Sequence, residues 1–283
     1  MSHLATELHP DVVALEQNVL TAEQSGTLQH VEQLAQVTPR LRLACERLLI
    51  DHGTPYRPEV EEVELAVLSL GFDYAPGAAR DAGFEARAGL LLESLGAVDL
   101  ECLDHVAGGG TRANFVIDTE GDVDAICAFG AHAVPQLESL GWRVEVAPGY
   151  RWHVVRGGEW FADVSAADSA SGDDWFNLEL GIELDGERVD LLPALVALIE
   201  RASSLRALKR GAKRCVALPL SQGRYLALSP ERAEALVDVI YELYGGRPAM
   251  GPLQIPASEL HNLSGLDRVF GRELRAPAAT RGL

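Results

Sequence analysis

From Phe176 to Leu184 the chain alternates strictly. Phe176, Leu178, Leu180, Ile182 and Leu184 fall on one side, and Asn177, Glu179, Gly181, Glu183 and Asp185 on the other. A period of two over this length predicts a half-buried antiparallel strand, because successive side chains of an extended chain point to opposite faces. Asp185-Gly186 suits the two positive-φ positions of a tight hairpin turn, so Glu187 to Leu191 is expected to return as the partner strand. Pro193 stands where a first-turn proline loses no helical hydrogen bond. Leu195, Leu198, Ile199, Ala202, Leu205 and Leu208 then recur at helical spacing, and the stretch 173–208 reads as a hairpin followed by an amphipathic helix. It is a packing unit with no catalytic constellation in it, and the rest of the chain has to be arranged around its apolar face.

A second stretch has the same layout. Cys215 to Leu220 and Arg224 to Leu228 form a hairpin pattern across Ser221-Gln222-Gly223. Ser229 is a good N-cap and Pro230 a good first residue for a helix over 231–244, with Leu236, Val239, Ile240 and Leu243 inward. The shared layout of 174–208 and 215–244 suggests a structural repeat. Upstream, 10–36 reads as two helices around Ser25-Gly26, and Arg40 to Leu43 as a short strand after Thr38-Pro39. A strand with Leu65, Val67 and either Ser69 or Leu70 inward runs to Phe72-Asp73-Tyr74 and turns at Pro76-Gly77. Arg80-Asp81 opens a helix through Ala88, Leu91, Leu92 and Leu95 that Gly96 stops. A helix over 124–140 buries Ile126, Phe129, Leu137 and Leu140, with Pro135 expected to kink or split it. Strands around Trp142 to Val146, Tyr150 to Val155 and Trp160 to Val164 are expected to form a meander. Trp160 and Trp175 read as core or edge aromatics. Leu253 to Pro256 reads as a last short strand, Ser258 to Leu263 as a helical turn, and Arg275 to Leu283 as a frayed end. The expected fold class is α+β: two packed subdomains of antiparallel hairpins and a meander with amphipathic helices. The expected division is an N-terminal α+β subdomain over 1–165, a hairpin-helix subdomain over 173–256 and a partly ordered tail over 257–283.

Charge is distributed unevenly. The first 200 residues carry 35 acidic and 11 basic side chains, the last 83 carry 7 and 13, and the total is −18. Arg206, Lys209, Arg210, Lys213 and Arg214 put five bases within nine residues and are the candidates for contacting nucleic-acid phosphates, where they would replace condensed counterions. The competing reading is helix C-terminal capping of 193–208, and the absence of interleaved aromatics favours that reading over a single-strand groove.

Most other chemistry is excluded by spacing. Cys45, Cys102, Cys127 and Cys215 share no CxxC or His-pair spacing, so they read as four reduced, mostly buried thiols and not as a zinc site. The Gly-rich run 105–114 is followed by strand-like Phe115-Val116-Ile117, whereas a phosphate cradle needs a helix N-terminus there. Asp118, Glu120, Asp122 and Asp124 alternate like the start of a calcium loop, but Val123 and Phe129 stand where that loop needs glycine and glutamate. A solvated turn capping the next helix is preferred. There is no HExxH or GxSxG, and Glu179 and Glu183 read as a solvated strand face. No catalytic residue, metal site or bound cofactor is therefore expected. No apolar run approaches a membrane span and 1–20 lacks the apolar core of a secretion signal, which makes a cytoplasmic protein the default expectation.

The run Asp174-Trp175-Phe176-Asn177-Leu178-Glu179-Leu180-Gly181-Ile182-Glu183-Leu184-Asp185-Gly186-Glu187-Arg188-Val189, closed by Leu191-Leu192-Pro193, resembles a segment upstream of the motor in bacterial Swi/Snf-type helicase-like ATPases. The Pro-x-Leu-x-Leu run at 39–43, Phe72-Asp73-Tyr74 before Arg80-Asp81, the Gly141-Trp142 strand start and the Leu218-Pro219-Leu220 to Pro230-Glu231-Arg232 succession are similar to that family in the same order. The resemblance covers most of 38–256, all of it accessory region. A Swi/Snf motor needs a GxxxxGK[ST] loop and a DExx box; neither occurs, and the zinc-binding Cys/His segment at the start of some members is absent as well. The resemblance thus implies a non-catalytic accessory or regulatory module, with ATP and magnesium confined to a motor that acts with it in cis or in trans. Expected partners are that helicase or ATPase motor and DNA. A stand-alone acidic protein-interaction module is the alternative, and an unrecognised hydrolase ranks third.

Overall fold

The computed structural model describes residues 36–53, 56–103, 105–107, 111–156, 158–166, 175–201, 214–244 and 253–256. The helices expected over 10–36, the end of the helix expected to reach Leu208, and the turn and tail beyond 256 lie outside them. The chain is an α+β protein with antiparallel hairpins and mixed sheets.

Two 15-residue strands, β1 (Val37–Asp51) and β2 (Val60–Tyr74), form a long antiparallel hairpin in register from Val37↔Tyr74 to Asp51↔Val60. The expected short strand at 40–43 is thus only the start of β1, which Pro39 does not interrupt. Helix α1 (Ala82–Ser94) follows, capped by Asp81, whose Oδ1 accepts the Phe84 N–H at 2.9 Å, and closed by Gly96 at φ +104°. Three short strands, β3 (Val98–Asp99), β4 (Val106–Ala107) and β5 (Phe115–Val116), add to this sheet. Helix α2 (Val123–Ala128) continues through a π-helical turn (Phe129–Ala133) into α3 (Val134–Ser139). Pro135 accounts for the wide turn: it has no N–H to donate to the preceding turn, so the helix loosens there and does not break.

The next three strands correct the expected meander. β6 (Arg143–Val146) runs parallel to β1 in the first sheet. β7 (His153–Val155) runs parallel to β12 (Arg224–Leu228), which pairs with β11 (Val216–Pro219) in a three-stranded sheet. β8 (Glu159–Ala166) pairs antiparallel with β9 (Trp175–Leu184). Consecutive strands therefore go to three different sheets, each pairing with a partner distant in sequence or with the strand that follows it. The β8–β9 ladder runs across the expected division at 165–173, and β7 crosses it as well.

β9 is the centre of the second sheet. It is flanked on one side by β8 and on the other by β10 (Glu187–Asp190) and β13 (Leu253–Pro256). Asp185 and Gly186 take φ of 52° and 81°, as the hairpin turn requires. Asp190 then accepts the Leu192 N–H at 2.9 Å and starts α4 (Leu192–Arg201). The second unit closes with α5 (Pro230–Tyr244), whose Arg232 N–H is accepted by Ser229 Oγ at 3.3 Å. Leu180, Ile182, Leu191, Leu195, Leu218, Leu236 and Ile240 are fully buried in one apolar cluster that joins both hairpins to both helices. At about 1.5–3 kcal/mol per buried aliphatic side chain, this cluster is the main stabilising element of the second half. The first half is two-layered about β1 and β2: α1, α2 and α3 cover Leu41, Leu43, Ala66 and Leu68, while Ala44, Leu48, Ile50, Leu65 and Val67 pack on the opposite face.

Candidate functional site

The turn before α2 is built by its own carboxylates. Asp118 Oδ1 accepts the N–H groups of Glu120 and Asp122 at 2.9 and 2.8 Å, and Asp122 Oδ1 accepts the Asp124 N–H at 3.0 Å. These bonds satisfy donors that would otherwise be unpaired at a helix start. Asp124 does more: its Oδ1 accepts the Ala217 N–H at 2.8 Å, and its carbonyl oxygen accepts the Cys215 thiol at 3.0 Å. One residue thus ties α2 to the edge of β11, across 93 positions of sequence. Capping was legible from the acid spacing; the long-range tie had no signal in the sequence, because a first-turn aspartate looks the same whether or not a strand edge lies beside it.

Beside that tie, Arg214 lines a cavity of about 440 Å3. Leu95 after α1, Ile117 after β5 and Phe129 from the π-helical turn supply apolar lining, and Asp122, Asp124 and His132 supply polar lining with Arg214. Of the five basic residues singled out from sequence, Arg214 alone is described; Arg206, Lys209, Arg210 and Lys213 lie outside the described residues. Among the described residues, Arg214 lines the cavity together with two carboxylates, Asp122 and Asp124. The polar side chains of the lining, among the described residues, are Asp122, Asp124, His132, Gln136 and Arg214, set beside an apolar surface that suits a small amphipathic group. Among the described residues, no three of His, Cys, Asp and Glu form a metal-holding group, and no helix is long and apolar enough to cross a membrane.

The cysteines divide by burial. Cys127 and Cys215 are buried together beside Ala128 and Ala217, Cys45 is half-buried and Cys102 is exposed, so "mostly buried" holds for three of the four at best. Burial, with the neighbouring Cys215 next in weight, pushes the Cys127 thiol up to about 12. A raised thiol pKa favours the protonated, folded form below the ordinary value of 9.0, and that contribution is lost as pH rises from 9.0 to about 12. At pH 8 only about one Cys127 in 10⁴ is ionised, so a thiol titration with a chromogenic disulfide is expected to show rapid reaction at Cys102 and none at Cys127 until the protein unfolds. Rapid modification of Cys127, read by peptide mass, would contradict this burial.

No family model, curated protein or solved structure matches the chain. Its class is therefore defined by the fold and the site alone: an α+β protein in which a mixed, two-layered sheet is tied by Asp124 to a pair of hairpin-helix units.

Proposed function

We propose that this chain is a non-catalytic accessory module of the kind found upstream of the motor in bacterial Swi/Snf-type DNA-dependent ATPases, acting on a motor in cis or in trans. The observation that carries the reading is the 174–193 run, and the element it forms supports it: the hairpin β9–β10 with α4 holds the centre of the second sheet, where it buries one face and presents Glu179 and Glu183 on the other. The acidic first 200 residues disfavour a broad electrostatic grip on DNA and concentrate any phosphate contact in 206–214. The exposed Glu59, Glu61 and Glu62 at the start of β2 and before it favour a second reading, an acidic surface for a protein partner without DNA contact.

The test is ATP hydrolysis by the purified chain with and without duplex DNA, beside DNA-binding titrations at two salt concentrations. No hydrolysis with salt-sensitive binding is the expected result. Replacing Lys209, Arg210, Lys213 and Arg214 by glutamine is then expected to weaken binding and flatten the log–log salt slope by up to about 3–4, near 0.9 per lost phosphate contact. An unchanged slope removes the cluster from the DNA contact, and hydrolysis by the pure chain overturns the accessory reading. The absence of both activities would move the weight to the protein-interaction reading.

A further inference from the structure

A second hollow, of about 610 Å3, is lined by α1 and the ends of β2 and β5. Phe72, Leu100 and Phe115 give it an apolar floor. Gly89 faces it from the middle of α1, and a Cβ there would meet only Phe115 Cζ, at 3.7 Å, which is ordinary van der Waals contact. Packing therefore does not demand glycine at a position where alanine is the better helix former. The missing side chain leaves the surface of α1 open beside the buried Phe115 ring.

The two lips of the hollow differ in charge. On one, Arg80 is committed to Glu85 through Nε and Nη2 at 2.9 and 2.6 Å, and the Tyr74 hydroxyl donates to the same carboxylate at 2.9 Å. The Arg80 guanidinium holds the Glu85 carboxyl below its ordinary value, so this lip is a closed, neutral pair. On the other lip, Asp99 Oδ1 accepts the Glu101 N–H at 2.8 Å, a turn that sets both carboxylates against the hollow. Neither of those carboxylates is in an ion pair among the described residues. Asn114 Oδ1 accepts the Leu70 N–H at 2.9 Å, which orients its amide with the NH2 group left to donate.

An apolar floor, a pair of carboxylates and an amide donor together suit one kind of occupant. A guanidinium matches the carboxylates, its aliphatic stem lies along the apolar floor, and the backbone carbonyl beside it can accept from Asn114. A nucleic-acid phosphate would instead face two negative charges. We propose that this hollow docks an arginine-bearing segment of a partner protein. The 35 acidic against 11 basic side chains of the first 200 residues complement such a partner over a longer range. The site shares no residue with the 206–214 cluster, and the proposal stands whether or not the accessory reading does.

The test uses the full chain and a fluorescein-labelled peptide Gly-Leu-Arg-Leu-Gly, read by fluorescence anisotropy beside its lysine and glutamate counterparts. The arginine peptide is expected to bind and the glutamate peptide not to bind. Asp99→Asn with Glu101→Gln keeps an acceptor for the Glu101 N–H and removes both charges, and is expected to weaken binding about tenfold or more. Gly89→Leu, a good helix former that covers the open surface beside Phe115, is expected to do the same. Glu61→Gln with Glu62→Gln makes the same change in net charge on β2 and is expected to leave affinity within about twofold. An equal loss in that control would show generic attraction to an acidic protein and overturn the site, as would binding indifferent to Gly89→Leu or no binding of the arginine peptide. A lysine peptide that binds as tightly would overturn the assignment to arginine.

Discussion

Leu180→Ala is expected to lower the free energy of unfolding by about 3–5 kcal/mol, the upper range for a leucine truncated in a core that cannot collapse. Leu180 has no solvent exposure and sits at the midpoint of β9, opposite Ala162 of β8. Its carbonyl oxygen accepts the Leu191 N–H at 2.8 Å, so its backbone is pinned on the side where β10 gives way to α4. It shares one buried cluster with Leu191 and Leu195 from the first hairpin-helix unit and Leu218, Leu236 and Ile240 from the second. With hydrogen-bonded strands on both sides of β9, the void left by alanine has no mobile wall to fill it. A domain's whole stability is about 5–15 kcal/mol, so this one truncation removes a large share. Urea denaturation is the measurement: the midpoint should fall with an unchanged m-value, while Glu179→Gln, one residue earlier on the solvent face, should stay within about 0.5 kcal/mol of the parent. A loss under about 1 kcal/mol for Leu180→Ala would mean that the cluster repacks freely and that the two units do not share a rigid core.

Leu180 is also the kind of residue that a sequence reveals. The alternation of β9, the Asp185-Gly186 turn, the helix start at Arg80-Asp81, the Ser229 cap and the inward face of α5 all depend on neighbours within a few positions, and each forms as its local pattern predicts. β1 and β2 were harder because they are buried on different faces along their length. In β1, Leu41 and Leu43 face α1 and α2, whereas Ala44, Leu48 and Ile50 face the opposite layer. In β2, Leu65, Ala66, Val67 and Leu68 are all fully buried, so burial on both faces replaces the period of two and leaves a continuous apolar run. The destinations of β6, β7 and β8 were not legible at all. Arg143 to Val146 reads as a strand from its own residues, but that it runs parallel to β1 is set by the helices between them, which carry the chain back to the same end of the sheet. The candidate cavity divides in the same way: Asp122 as a cap is local and was found, whereas the Asp124–Ala217 bond beside Arg214 is long-range and was not.

Gly181 is the exception inside the most legible strand, and Gly181→Ala is expected to cost about 3 kcal/mol, at the upper end for overpacking. By parity it belongs with Glu179 and Glu183 on the polar face, yet it is buried. Phe161 lies directly across the ladder from it, and Arg188 covers the outer face of that ring with its guanidinium carbon 3.8 Å from the centroid. Arg188 is held there by Asp163 and Glu179. A methyl group at position 181 would come within 2.5 Å of Phe161 Cζ and still closer to the Val189 carbonyl oxygen. The two clashes differ in kind. The ring can swing away if it gives up Arg188, but the carbonyl belongs to β10, whose ladder with β9 spans Leu184↔Glu187 to Gly181↔Asp190. Moving it means opening the hairpin. The double variant Phe161→Ala with Gly181→Ala separates the two contributions: the coupling energy between the substitutions should recover the ring's share, about 1 kcal/mol, and leave the backbone's share in place. Full recovery in the double variant would show that β10 yields easily and that the aromatic lid alone requires glycine. No recovery would place the whole cost in the β9–β10 ladder, and the Phe161–Arg188 stack would then be a cover laid over a strand pairing that is tight without it.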